Sequence, residues 1–220
     1  MKINLIPHLP WEQRKFSFFF DCSIPNNSLS RDKLSFECGE IKNVHYGDVL
    51  IKFGACIDVA KDAIPYIICA SEEDYKNQYL KNGDVIMADA AEDETVGKVS
   101  EIVNLEDRKI VSGLHTIVCR PKEKMQPYFL GYYINSSAYH SQLIPLMQGT
   151  KVSSLSKTNL AKTYVCFPTA PKEQAQLGIF FKSLDNLITL HQREPFHFPI
   201  LPILKASASQ YQHPCSRVLG

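Results

Sequence analysis

The residues best suited to chemistry lie between positions 84 and 101. Six carboxylates (Asp84, Asp89, Glu92, Asp93, Glu94 and Glu101) accompany a single base, Lys98. Clustered acids beside a lysine are raw material for a metal-dependent nuclease. Consecutive acids on a loop point in different directions, however, so Glu92-Asp93-Glu94 reads first as a solvated loop or a docking surface for a basic partner. A carboxylate facing nucleic acid has another use, because it accepts a hydrogen bond from a cytosine amino group in the major groove. His115, in Leu114-His115-Thr116-Ile117, follows strand alternation. It is either a satisfied sheet residue or one facing a groove. Cys56 or Cys119 can be paired with it on paper as a nucleophile, with nothing in the spacing to support that.

Other catalytic signatures are missing. The chain contains no GxxxxGK[ST] loop, no GxGxxG, no HExxH and no Asn/Asp-Pro-Pro-aromatic tetrapeptide. These would respectively cradle a nucleotide phosphate, bind a dinucleotide, hold zinc or hold a flipped base. The seven histidines are scattered, and the seven cysteines (Cys22, Cys38, Cys56, Cys69, Cys119, Cys166 and Cys215) form no CxxC. Several cysteines sit in apolar runs, which predicts buried free thiols in a reducing cytosol and a cytoplasmic protein.

Charge points to a ligand instead. Net charge is +1, so affinity for nucleic acid requires a local patch. Residues 124–172 hold no carboxylate; their bases are Lys124, Lys151, Lys157, Lys162 and Lys172. Much of that stretch is apolar and reads as buried helix. The polar loop 148–157 is different, since Thr150, Lys151, Ser153, Ser154 and Lys157 offer the hydroxyls and ammonium groups that phosphate oxygens accept bonds from. For base contacts the sequence offers Lys52, the acidic loop with Asp89, Asp93, Thr95 and Lys98, and His115.

The elements that must position these residues follow from patterning. Hydrophobic residues make up 45% of the chain and charged ones 21%, as in an ordinary globular protein. No window of about 18 apolar residues exists to span a membrane. Residues 1–10 read as an irregular lead-in without the marks of a signal peptide. Gly47-Asp48-Val49-Leu50-Ile51 and Gly83-Asp84-Val85-Ile86 both read as a turn feeding a strand. Further strands are expected over 64–70, 96–103, 110–119 and 160–168. Helix is expected over 127–135, with Ser136-Ser137 capping a second. Pro171–Arg193 is the best-patterned segment. Leu177, Phe180, Phe181, Leu184, Leu187, Ile188 and His191 form one stripe at helical spacing, with Pro171 suited to the first turn. The expected fold is α+β: a twisted, mostly antiparallel sheet with helices, followed by one long amphipathic helix of roughly 34 Å. Its parts are a recognition domain over 1–168, a spacer or dimerisation helix over 169–193 and an irregular tail over 194–220.

The opening Trp11-Glu12-Gln13-Arg14-Lys15, the two Gly-Asp-Val motifs, and the close carry a resemblance. That close runs Thr150-Lys151-Val152-Ser153-Ser154-Leu155, then Val165-Cys166-Phe167-Pro168, then Pro171-Lys172-Glu173-Gln174, then Leu184-Asp185. The chain resembles a target-recognition domain of the specificity subunit of type I restriction-modification systems. The resemblance implies a non-catalytic reader of one half of a bipartite double-stranded DNA site. It implies a helix that spaces two half-sites and docks methyltransferase subunits. S-adenosylmethionine, ATP and Mg would belong to the methyltransferase and motor-nuclease partners. Two departures stand out: one recognition domain where a complete subunit carries two, and a proline-interrupted sequence after Arg193. Together they predict a half or truncated subunit. Such a chain would homodimerise, pair with a second half, or persist as a remnant that binds methyltransferase without specific readout.

Overall fold

The computed structural model describes residues 10–149 and 151–193. Residues 1–9 of the expected lead-in over 1–10, Thr150 and the expected tail over 194–220 lie outside the described residues. The chain enters as strand β1 (Trp11–Lys15), a short helix α1 (Phe16–Phe19) and β2 (Phe20–Asp21). Strands β3 (Leu34–Ser35), β4 (Ile41–Val44), β5 (Cys56–Asp58) and β6 (Tyr66–Ile67) follow, then helix α2 (Glu72–Tyr75). Next come β7 (Val85–Ala88), β8 (Ala90–Ala91), β9 (Val99–Val103), β10 (Lys109–Ser112) and β11 (Thr116–Pro121). Helices α3 (Phe129–Asn135) and α4 (Ser137–His140), strand β12 (Ser153–Ser154), helix α5 (Lys157–Leu160), strand β13 (Tyr164–Pro168) and helix α6 (Pro171–Arg193) complete it.

The central sheet runs β2-β11-β7-β9-β5, and a second sheet runs β10-β4-β6-β3. Two small pairs, β1 with β13 and β8 with β12, lie outside them. Parallel pairing joins β10 to β4 and β5 to β9; every other ladder among the described residues is antiparallel. The expected mostly antiparallel sheet is therefore present.

Alternation along the central strands builds two cores, because successive side chains leave a strand on opposite faces. Val85, Met87, Val99, Ile117 and Cys119 pack with Phe129, Leu130 and Ile134 of α3 and with Tyr139, Leu160 and Phe167. Ile86, Ala88, Ile102 and Val118 pack the other way, with Val44, Ile57 and Ile110. At roughly 1.5–3 kcal/mol for each large apolar side chain fully buried, these two layers dominate stability.

The twin Gly-Asp-Val motifs diverge. Gly83 takes a left-handed turn (φ +86°) and β7 follows, as expected. Asp48–Lys52 instead forms a single wide turn of π-helix, not a strand. The Phe53 amide donates to the Asp48 carbonyl at 2.8 Å, and the Asp48 carboxylate takes a bond from Arg31 Nη1 at 2.8 Å. Val49 is buried while Ile51 is 89% exposed, a pattern a strand with one buried face would not give. The cysteines also differ from expectation: Cys119 is buried, but Cys38 and Cys69 are exposed.

Tyr128, with φ +74°, stands at the N-cap of helix α3. Its free N-terminal amides are met by a strand residue. Glu101 of β9, almost fully buried, accepts from the Tyr128 and Gly131 amides at 2.9 Å each. A carboxylate suits this end of a helix. Burial nevertheless pushes its pKa up to about 7, with the backbone amides pulling the other way. Ser136 stands at the N-cap of α4, as expected, but its hydroxyl donates back to the Tyr133 carbonyl at 2.6 Å and caps nothing.

Candidate nucleic-acid interface

Strand β7 ends at Ala88, and Asp89 is the joint between β7 and β8. Its amide donates to the His115 carbonyl at 3.1 Å, and its carbonyl accepts from the Leu155 amide at 2.8 Å. Immediately beyond, β8 pairs with β12, Ala90 opposite Ser154 and Ala91 opposite Ser153. One residue thus ties together three segments far apart in sequence: the acidic loop, the turn before β11 and the Ser/Lys loop.

His115 lies not in a strand but at φ +53° in the turn between β10 and β11. That places its imidazole on the surface, with Nδ1 3.4 Å from Asp89 Oδ1. Burial raises the pKa of Asp89, and the facing His115 opposes that shift. The Tyr46 ring meets His115 edge-on at 5.3 Å and leans on His45 at 4.6 Å. Tyr46 has no periodic signal in the sequence; the turn of helix over 48–52 and a bond from its amide to the Leu114 carbonyl bring it here. An imidazole, a phenol and a half-buried carboxylate side by side offer donors and acceptors at fixed positions, as base-edge recognition demands.

The other expected contacts are distributed. Asp93 is exposed and binds the Thr95 amide at 2.9 Å and its hydroxyl at 2.5 Å, which shapes the acidic loop. Lys98 donates to the carbonyls of Leu50 and Phe53 at 2.8 and 3.1 Å, and burial lowers its pKa. Lys52 binds the Ala63 carbonyl and lies 4.6 Å above the Phe36 ring. No bond among the described residues joins Lys52 or Lys98 to the Asp89–His115 pair. Lys157 donates to the Cys22 carbonyl at 2.5 Å. Ser154 is exposed and donates to the Gln148 carbonyl at 3.3 Å; Ser153 is half-buried and Lys151 is exposed. Gly149 (φ +117°) makes the tight bend here, since a Cβ would lie 1.9 Å from the Val152 carbonyl. Among the described residues no three His, Cys, Asp or Glu side chains converge as metal ligands would.

Helix α6 is a second surface. Its first half docks on the domain. Gly178 lies so close to the start of α3 that a Cβ would come within 2.7 Å of the Pro127 carbonyl. Leu177 packs on the first core, Phe181 stacks on Tyr132 at 5.7 Å, and Tyr132 donates to Asp185 at 2.6 Å. Leu184 and Ile188 fall seven residues after Leu177 and Phe181, so the same seam continues past the domain. Phe180, Leu184, Leu187 and Ile188 are exposed, as is His191. No helix among the described residues is long and apolar enough to cross a membrane.

The model of the type I restriction modification DNA specificity domain matches residues 32–196, and the chain belongs to that family. It is 24% identical over 193 residues to a Methanocaldococcus jannaschii protein described as the type I restriction enzyme MjaX specificity subunit, covering 85% of this chain and 42% of that protein. The fold is similar to the type I restriction-modification S subunit from M. genitalium (TM-score 0.53, 15% identity, 87% of this chain and 44% of that one). It is also similar to the HsdS subunit from Thermoanaerobacter tengcongensis (TM-score 0.52, 15% identity, 86% and 40%). The chain thus spans less than half the length of these relatives.

Proposed function

We propose that this chain is a non-catalytic, DNA-reading half of a type I restriction-modification specificity subunit. The observation that carries this is the convergence at Asp89, which sets Tyr46, His115 and the 148–157 loop on one surface. The Asp89–His115–Tyr46 group reads base edges of one half-site, and Lys151 and Ser154 face the phosphates. The exposed part of α6 docks methyltransferase and pairs with the matching helix of a second copy or a second half. A homodimer would read an inverted repeat, since two-fold symmetry in the protein mirrors that of the site. S-adenosylmethionine, ATP and Mg are held by the partner subunits, and the complex works in the cytoplasm.

One observation favours a second reading, an interaction remnant without specific readout. Lys52, Lys98 and Lys157 all spend their ammonium groups on this chain's own carbonyls. Selection from a random duplex pool, with and without methyltransferase subunit, separates the two. Enrichment of a half-site supports the reader. Co-purification with methyltransferase and no enriched site supports the remnant.

A further inference from the structure

Strand β2 lies at the edge of the central sheet, paired antiparallel with β11 through Phe20 opposite Pro121 and Asp21 opposite Arg120. One residue earlier, the Lys122 amide donates to the Phe19 carbonyl at 2.9 Å, which makes that a hydrogen-bonded pair. Bonded and unbonded pairs alternate along an antiparallel ladder. Phe20–Pro121 is then unbonded, as the missing proline N–H requires, and Asp21–Arg120 is bonded. The ladder ends at that pair, and Cys22 and Cys119 are the residues one position beyond it. The register, carried on by one, puts them at an unbonded position, where Cα atoms ordinarily approach to about 4.5 Å and side chains lean together. That lies within the span of about 4.4–6.8 Å that a disulfide bridges. Both are free thiols on the same core, Cys119 buried within it and Cys22 packed against it.

We propose that Cys22 and Cys119 form a peroxide-sensitive dithiol that closes to a disulfide between β2 and β11. The division of labour follows from their surroundings. Cys119 is fully buried, whereas Cys22 is only partly buried and can meet a small oxidant. The neighbouring Cys119 thiol, then the Lys157 ammonium, pull the Cys22 thiol below its ordinary range. The Cys22 thiol beside it, then burial, push Cys119 up. Cys22 is thus the attacking thiolate. Its sulfur displaces hydroxide from hydrogen peroxide: an S–O bond forms, the O–O bond breaks, and the hydroxide takes a proton to leave as water. The Cys119 sulfur then attacks the sulfenic acid; S–S forms, S–O breaks, and the second water leaves with the Cys119 proton. Two thiols are oxidised and one peroxide is reduced to two waters. The bond pins the strand whose Cys22 carbonyl holds Lys157, so oxidation stiffens the base of the 148–157 loop.

The test treats the folded chain with hydrogen peroxide, blocks free thiols and maps peptides by mass spectrometry without reductant. The expected product is a Cys22–Cys119 cross-linked peptide that disappears on reduction. It should be lost in Cys22→Ser and kept in Cys38→Ser. The melting temperature should rise on oxidation of the wild type and return on reduction, with no rise in Cys22→Ser. Sulfinic acid on Cys22 with no cross-link, cross-links only through Cys38 or Cys69, or a melting shift that persists in Cys22→Ser would each overturn the proposal.

Discussion

Asp89 Oδ1 lies 3.4 Å from His115 Nδ1, and the backbones of the two residues are joined by a hydrogen bond as well. The pair is therefore held together where β7 ends and β11 begins. If this unit reads a base, Asp89→Asn and His115→Ala should each relax preference at the same position of the half-site. A good base contact is worth about 1–3 kcal/mol, so discrimination there should fall roughly 5- to 150-fold. Comparing selected sequence pools for the variants and the wild type reads this directly. An unchanged preference would remove the pair from the recognition surface.

Phosphate contacts have a different signature. Lys151 is exposed on the bend that Gly149 makes. Lys151→Ala should weaken binding to all sequences alike, and the slope of log affinity against log salt should flatten by about one unit. A salt titration of the variant with two unrelated duplexes checks it; a sequence-selective loss would argue for base contact instead.

Glu101 predicts a pH dependence of stability. Its pKa in the fold, about 7, lies above the ordinary carboxylate value of 4.5. A raised pKa means that the folded state binds the proton more tightly, so this contribution is complete below the unfolded value and is lost as pH rises through 7. The loss reaches about 3 kcal/mol. Urea midpoints of the wild type should fall from about pH 5 to about pH 8 relative to those of Glu101→Gln, which cannot ionise. Parallel profiles for the two proteins would refute this.

The two halves of α6 should respond oppositely to charge. Leu177→Asp buries a carboxylate against the first core and should cost several kcal/mol of stability. Leu187→Asp, in an exposed position, should leave the melting temperature within about 2 °C of wild type while abolishing self-association or capture of methyltransferase. Sedimentation and co-purification report the second effect. A Leu187→Asp protein that still associates would place the contact elsewhere.

Legibility in the sequence tracked how local each determinant is. Pro171–Arg193 was readable to its ends because its stripe, its proline and Glu173 all lie within the segment. The strand Val85–Ala88 was readable for the same reason. The identical opening at Gly47-Asp48-Val49 misled: it coils into a helical turn closed by the Phe53 amide, and Asp48 finds its partner in Arg31, seventeen positions away and brought close only by folding. His115 was singled out by type, but its left-handed backbone and its partners Asp89 and Tyr46 are tertiary facts. Glu101 looked like one more member of an acidic run; only the register of β9 against α3 marks it as a helix cap. The facing of Cys22 and Cys119 likewise needs the strand register, which no spacing between residues 22 and 119 discloses.

Gly178 has a consequence for the far end of its helix. Pressed against the Pro127 carbonyl, and backed by Tyr132 on Phe181 and Asp185, it locks the helix against turning about its own axis. The compass bearing of Leu184, Leu187 and Ile188 is thereby indexed to the domain like the teeth of a keyed shaft. One residue inserted after Asp185 would swing Leu187 and Ile188 by about 100° and advance them by about 1.5 Å. The direction in which any helix laid along that seam leaves the molecule is thus set by a glycine at the other end.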